Sequence, residues 1–200
     1  MNRGITVSEL ELLAKEIKNN LFKKGIDKFL IFANSCRGCV TSWDYIQEKQ
    51  CRCSGKARWS NKYGSLYLVW PENNVYYIQM IDCCWIYSKH KIYVKNIFKY
   101  ISTHKEKIKT EEIIPRYIES HFFFTAIYYY DKKDSLELQL KDGVFRESND
   151  AFYEYNKKLK VKKLKDIVDE KIKYIKKNYT FEKLYWTKKY RKMLRKNKMN

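Results

Sequence analysis

Cys36 and Cys39 stand in Cys-Arg-Gly-Cys, and Cys51 and Cys53 in Cys-Arg-Cys, so four thiols fall within eighteen residues. Two close pairs joined by a short loop can bring two thiolates from each arm to one tetrahedral zinc ion. Gly38 suits the tight turn before the second thiol. The second pair has one intervening residue where two are commoner, so Cys83, Cys84, His90 and His104 are weighed as replacement ligands. Cys83 and Cys84 are adjacent, and neighbours on a strand point to opposite faces, so both cannot reach one metal. Four thiolates leave no open coordination position, so this zinc would be structural and would not activate water.

Arg37, Arg52, Lys56 and Arg58 surround these cysteines, with Trp43 and Trp59 close by. Cations on a rigid knuckle can grip phosphates, and exposed aromatics can stack on bases. The same cations also stabilise anionic sulfurs, and tryptophans are more often buried than displayed.

The second constellation is cationic. The chain has 200 residues and a formal charge of +19, from 42 basic and 23 acidic side chains. From Asp150 onward there is no Gly or Pro, and residues 151–200 carry 18 basic and 5 acidic side chains, or +13 of that total. No acid follows Glu182, while Lys188, Lys189, Arg191, Lys192, Arg195, Lys196 and Lys198 crowd the end. Such a segment attracts polyanions, DNA or RNA first and an anionic membrane surface second. Lys, Asn, Ile and Tyr are all abundant, as an AT-rich coding sequence would give. That composition suits a phage, a plasmid or other mobile element, a large DNA virus or a low-GC bacterium.

A third constellation is a pair of carboxylates on strands. Asp82 and Glu137, with Gln139 and Lys141 following, can be drawn as a magnesium-dependent nuclease centre. The pattern loosely resembles the Asp…Glu-x-Lys arrangement of restriction-type nucleases. It departs from it at the lysine, which is Gln139 here, and an ordinary exposed strand face explains the same residues. His90, His104 and His121 are scattered, and there is no Walker loop or glycine-rich dinucleotide turn.

Elements must position these groups. Leu10, Leu13, Ile17 and Leu21 recur at helical spacing and predict a helix over 6–23, closed by Lys23, Lys24 and Gly25. Phe29–Ala33 reads as a strand. Leu66–Trp70 and Val75–Tyr87 read as two strands about a turn at Pro71-Glu72-Asn73-Asn74, with Ile92–Val94 as a third. Cysteine arms followed by a hairpin resemble the architecture of zinc ribbons. Residues 95–119 are expected to be helical in two pieces, with Thr110, Glu111 and Glu112 opening the second ahead of Pro115. Phe122–Tyr130 is a continuous apolar run of strand type, and Leu136–Leu140 alternates as a half-buried strand. Val161, Leu164, Ile167, Val168, Ile172 and Ile175 form one face of a long helix. Thr180 is expected to cap a second helix with Phe181, Leu184, Tyr185, Met193 and Leu194 on its apolar face.

The expectation is an α+β fold. It has a mostly antiparallel central sheet, an N-terminal helix, a cysteine-rich zinc-knuckle-like insertion at 36–53 and a basic C-terminal helical pair. Residues 1–149 would form the core and 150–200 a basic helical extension. The start, Met1-Asn2-Arg3-Gly4, is not that of an export signal, and six cysteines then suit a reducing, cytoplasmic setting. The leading functional expectation is a non-enzymatic, zinc-stapled nucleic-acid-binding protein. The alternatives are the nuclease and an adaptor or inhibitor docking on a protein or ribonucleoprotein machine.

Overall fold

The computed structural model of the protein describes residues 2–3, 7–37, 51–52, 65–82, 84–115, 122–132, 134–146, 148 and 151–196. Its elements in chain order are β1 (Asn2–Arg3), α1 (Val7–Lys23), β2 (Phe29–Arg37), β3 (Cys51–Arg52), β4 (Leu66–Glu72), β5 (Val75–Ile81) and β6 (Trp85–Lys91). They continue with α2 (Lys95–Thr110), β7 (Phe122–Asp131), β8 (Asp134–Lys141), a 3-10 turn (Gly143–Phe145), α3 (Ala151–Asn156), α4 (Lys160–Asn178), β9 (Lys183–Trp186) and α5 (Thr187–Lys196). Seven strands form one antiparallel sheet in the order β8-β7-β2-β4-β5-β6-β9, and β1 pairs in parallel with β3. The α+β class and the mostly antiparallel sheet are thus as expected. The knuckle at 36–53 lies outside the described residues, apart from the backbone of Cys36 and Arg37 at the end of β2 and of Cys51 and Arg52 in β3.

Strand alternation divides the core into two layers. On β2, Phe29 and Ile31 pack on the α1 and α5 side, while Leu30 and Phe32 pack on the α2 and α4 side. On β4, Leu66, Leu68 and Trp70 face the first side and Tyr67 and Val69 the second. Because successive side chains point to opposite faces, a strand covered on both sides must be apolar throughout. That is why these runs show no polar alternation. Burial pushes the Tyr67 phenol up to about 12. Edge strand β8 has one covered face, so Leu136 and Leu140 are buried while Glu137 and Gln139 are exposed.

The expected stripe of α4 is its buried face: Val161, Leu164, Val168, Ile172 and Ile175 join the core, with Ile167 packed against it. Each such side chain stabilises the fold by roughly 1.5–3 kcal/mol on burial. Helix α4 thus supplies part of one core layer and β9 the last strand of the sheet.

Local signals account for most ends. Helix α1 stops at Gly25, whose φ of +74° favours glycine. Gly25 N–H donates to the Phe22 carbonyl and Ile26 N–H to the Leu21 carbonyl, the paired bonds of a Schellman stop. The β4–β5 hairpin turns on Asn73 and Asn74 with φ of +51° and +62°, as a two-residue turn of the type asparagine tolerates.

Four expectations need correction. The run Val75–Tyr87 is two strands, broken at Asp82. Ile92–Val94 is not a strand; Ile92 and Val94 are buried beneath the entry to α2. Glu111 opens no helix over 111–115. Its carboxylate accepts from the N–H groups of Lys160 and Val161 at 2.8 and 2.9 Å, capping α4 from far along the chain. Thr180 caps no helix either, because residues 183–186 pair with β6 as β9 and helix α5 begins at Thr187.

Asn156 is fully buried and ties three segments together. Its amide nitrogen donates to the carbonyls of Ile114 and Val144, and its amide oxygen accepts from Ile114 N–H. Asn156→Ala leaves those backbone groups buried without partners and is expected to cost about 3 kcal/mol, read as a lowered urea midpoint with an unchanged slope.

Candidate nucleic-acid interface

The basic C-terminal helix is seated by a buried carboxylate. Asp82, at the turn between β5 and β6, is 3% exposed. One oxygen accepts from Cys84 N–H and Trp85 N–H, both at 2.7 Å, and the other from the Tyr87 hydroxyl at 2.5 Å. This is the local turn chemistry for which aspartate is suited. The Asp82 carbonyl accepts from the Thr187 hydroxyl at 2.9 Å, and Thr187 N–H donates to the Cys84 carbonyl at 2.9 Å. The first residue of α5 is thereby fixed to the β5–β6 turn.

Helix α5 then lies along α1. Leu194 enters the core, and Glu16 of α1 accepts from Arg191 at 3.3 Å and from Arg195 at 3.0 Å. Arg191 is 8% exposed, so its partnership with Glu16 is a buried ion pair rather than a phosphate contact. Of the expected nucleic-acid-binding cations whose side chains are described, Arg191 is the one the structure turns inward, and Arg195 shares its acid while remaining largely exposed.

Successive helical residues turn by about 100°, so the rest of α5 sorts cleanly. Lys188, Lys192 and Arg195 follow one row, and Lys189, Lys192 and Lys196 the next. Together they form one contiguous outer stripe opposite Thr187, Arg191 and Leu194. Lys188, Lys189, Lys192 and Lys196 are exposed and make no ion pair among the described residues. Two of them stand in the first turn, where the helix dipole disfavours cations, and pairs four apart repel. The helix thus carries charge at its own expense, which an anionic partner would relieve.

Strand β9 and the start of α5 carry an aromatic margin, part of which sequence periodicity assigned to a buried helix face. Leu184 and Tyr185 on β9 are about half exposed. Tyr185 stacks on Tyr190 of α5 with ring centres 6.4 Å apart. Trp85 and Trp186 stack at 4.1 Å, and the Lys183 ammonium sits 5.3 Å from the Trp85 ring centre. Burial, with Tyr185 alongside, pushes the Tyr190 phenol upward. The signal for this strand was present in Lys-Leu-Tyr-Trp, which is rich in aromatics of strand preference.

The other expected sites are placed differently. Glu137 accepts from the Tyr130 hydroxyl at 2.7 Å, Gln139 donates to the Tyr128 hydroxyl at 3.4 Å, and Lys141 ends the same strand. Asp82 follows β5, four strand spacings from β8, or roughly 19 Å at the usual strand separation. Asp82 and Glu137 cannot share one metal ion, and Asp82 is spent on its turn. Among the described residues no group of three or more His, Cys, Asp or Glu side chains is gathered for a metal. Cys84 is disulfide-bonded, which removes it as a thiolate ligand. His90 contacts Ser88, Tyr179 and Phe181, and His104 packs on Tyr100. Cys39, Cys53, Lys56, Arg58, Trp43, Trp59 and Cys83 lie outside the described residues, as do the side chains of Cys36, Arg37, Cys51 and Arg52. Among the described residues no helix is long and apolar enough to cross a membrane.

Comparison with protein-family models, with curated proteins and with solved structures gives no match.

Asp82→Ala strips a buried turn of three hydrogen bonds and is expected to destabilise the protein by about 3–5 kcal/mol. Limited proteolysis should then cut first after β6, in the segment carrying β9 and α5, while Asp82→Asn, which keeps one acceptor oxygen, is hurt less.

Proposed function

We propose that the protein is a non-enzymatic nucleic-acid-binding protein that grips phosphates with the outer stripe of α5. The observation that carries this reading is the row of Lys188, Lys189, Lys192 and Lys196, exposed, without acidic partners among the described residues, on a helix whose inner face is fixed to the core. Flexible ammonium groups on a rigid support suit sequence-independent contacts to a polyanion. Arg195 extends the stripe; Arg191 holds the helix down and supports the site from beneath. Arg37, Arg52, Lys56 and Arg58 belong to the same reading as a second set of phosphate contacts.

The test is a salt series with a labelled 20-mer. Binding that weakens linearly in log–log form is expected. Lys188→Ala, Lys189→Ala, Lys192→Ala and Lys196→Ala combined should flatten the slope by roughly 3 units, at about 0.7–0.9 per lost phosphate contact. Removing three cations from α4, with Lys173→Ala, Lys176→Ala and Lys177→Ala, changes the opposite face of the sheet and should leave most of the slope. Equal loss per lysine from both sets would mean that general charge, and not α5, does the binding.

Structural zinc held by Cys36, Cys39, Cys51 and Cys53 is part of the proposal, supported by their spacing. One zinc per chain is expected by elemental analysis, lost in Cys51→Ser with Cys53→Ser. Metal retained in that variant would place the ligands elsewhere.

A further inference from the structure

We infer that the strand recognised is single, its unpaired bases stacking on the aromatic margin of β9 while α5 holds the phosphates. This rests on the proposed function and deepens it. Two observations carry it. First, α5 lies flat: Thr187, Arg191 and Leu194 are buried beneath it, and its outward face is dominated by lysine. That outward face offers cations for phosphates and no Asn, Gln, Ser or Thr for base edges in a groove. Second, an exposed aromatic ring packs against the same helix that carries the cations. Tyr185 is 45% exposed and lies on Tyr190, the immediate neighbour of Lys189. Leu184 is 46% and Met193 44% exposed.

A duplex offers phosphates to the lysines but hides its base faces in the stack, so these rings would find nothing. An unpaired strand offers both, with successive bases able to lie on an aromatic platform next to an electropositive track. The platform is pre-formed: Tyr185 is held by Tyr190, so little side-chain freedom is lost when a base arrives. DNA and RNA share this chemistry, since neither stacking nor phosphate contact reads the 2′-hydroxyl.

The experiment measures anisotropy of labelled dT20, rU20 and a 20-base-pair duplex at one salt concentration, with the whole chain and three variants. Wild type is expected to bind the single strands at least tenfold more tightly than the duplex. Tyr185→Leu keeps bulk but removes the π face. It should weaken single-strand binding about five- to a hundredfold, leave duplex binding and the salt slope unchanged, and keep the wild-type melting temperature. Tyr185→Phe should restore wild-type binding, which a role through the hydroxyl would not. Equal affinity for duplex and single strand, or equal loss of both in Tyr185→Leu, overturns this inference alone. No binding by wild type, or no effect of the four lysine substitutions on either form, overturns the proposed function and this inference with it.

Discussion

The buried carboxylate of Asp82 fixes the relation between the sheet and the surface that carries the charge. A carboxylate at 3% exposure is tolerated only where its oxygens are met by donors. Here they meet two backbone N–H groups and a tyrosine hydroxyl. The same residue's carbonyl takes the Thr187 hydroxyl, so one turn both ends β5 and starts α5. The direction of α5, and hence the side on which its lysines stand, follows from that joint together with the Glu16 ion pairs.

Charge is distributed unevenly in quality as well as in number. On the α2 and α4 side many lysines are matched. Lys105 and Lys109 share Asp134, whose carboxyl they hold down at about 2. Lys165 sits between Asp142 and Asp169, where burial pulls its ammonium down but the two acids outweigh that and raise it. Lys162 is paired with Asp166 within the helix. On α5 the acids run out, and among the described residues only the two arginines find one. Net charge alone would not separate these two faces; the pairing does.

Much of the architecture was legible because it follows from periodicity. The faces of α1 and α4, the apolar run of β7 and the alternation of β8 each record how many sides of an element are covered. What was illegible depended on distant partners. Lys183–Trp186 reads as part of a helix until β6 stands beside it to accept the pairing. Glu111 looks like the start of the helix that follows it, but it caps one that begins at Lys160. Arg191 looks like its basic neighbours until Glu16, on the first helix, is placed beneath it. Glu137 sits on a strand, as expected, and Asp82 in the turn that follows one; strand order is a property of the whole chain, and it puts three strands between β5 and β8.

The sheet order also sets a timetable for synthesis. Strand β9 pairs with β6, and Thr187 bonds to a residue 105 positions earlier. Every other strand of the seven precedes β9 in the chain. During vectorial synthesis the sheet up to β6 can collapse on α1 before α5 leaves the ribosome. The long closure to β9 comes last, at the loop-entropy cost of a distant contact. Until then the lysine stripe hangs from an unfinished edge with neither Asp82 nor Glu16 to aim it. A nascent chain beside ribosomal RNA would therefore carry the charge of the finished protein without its oriented surface.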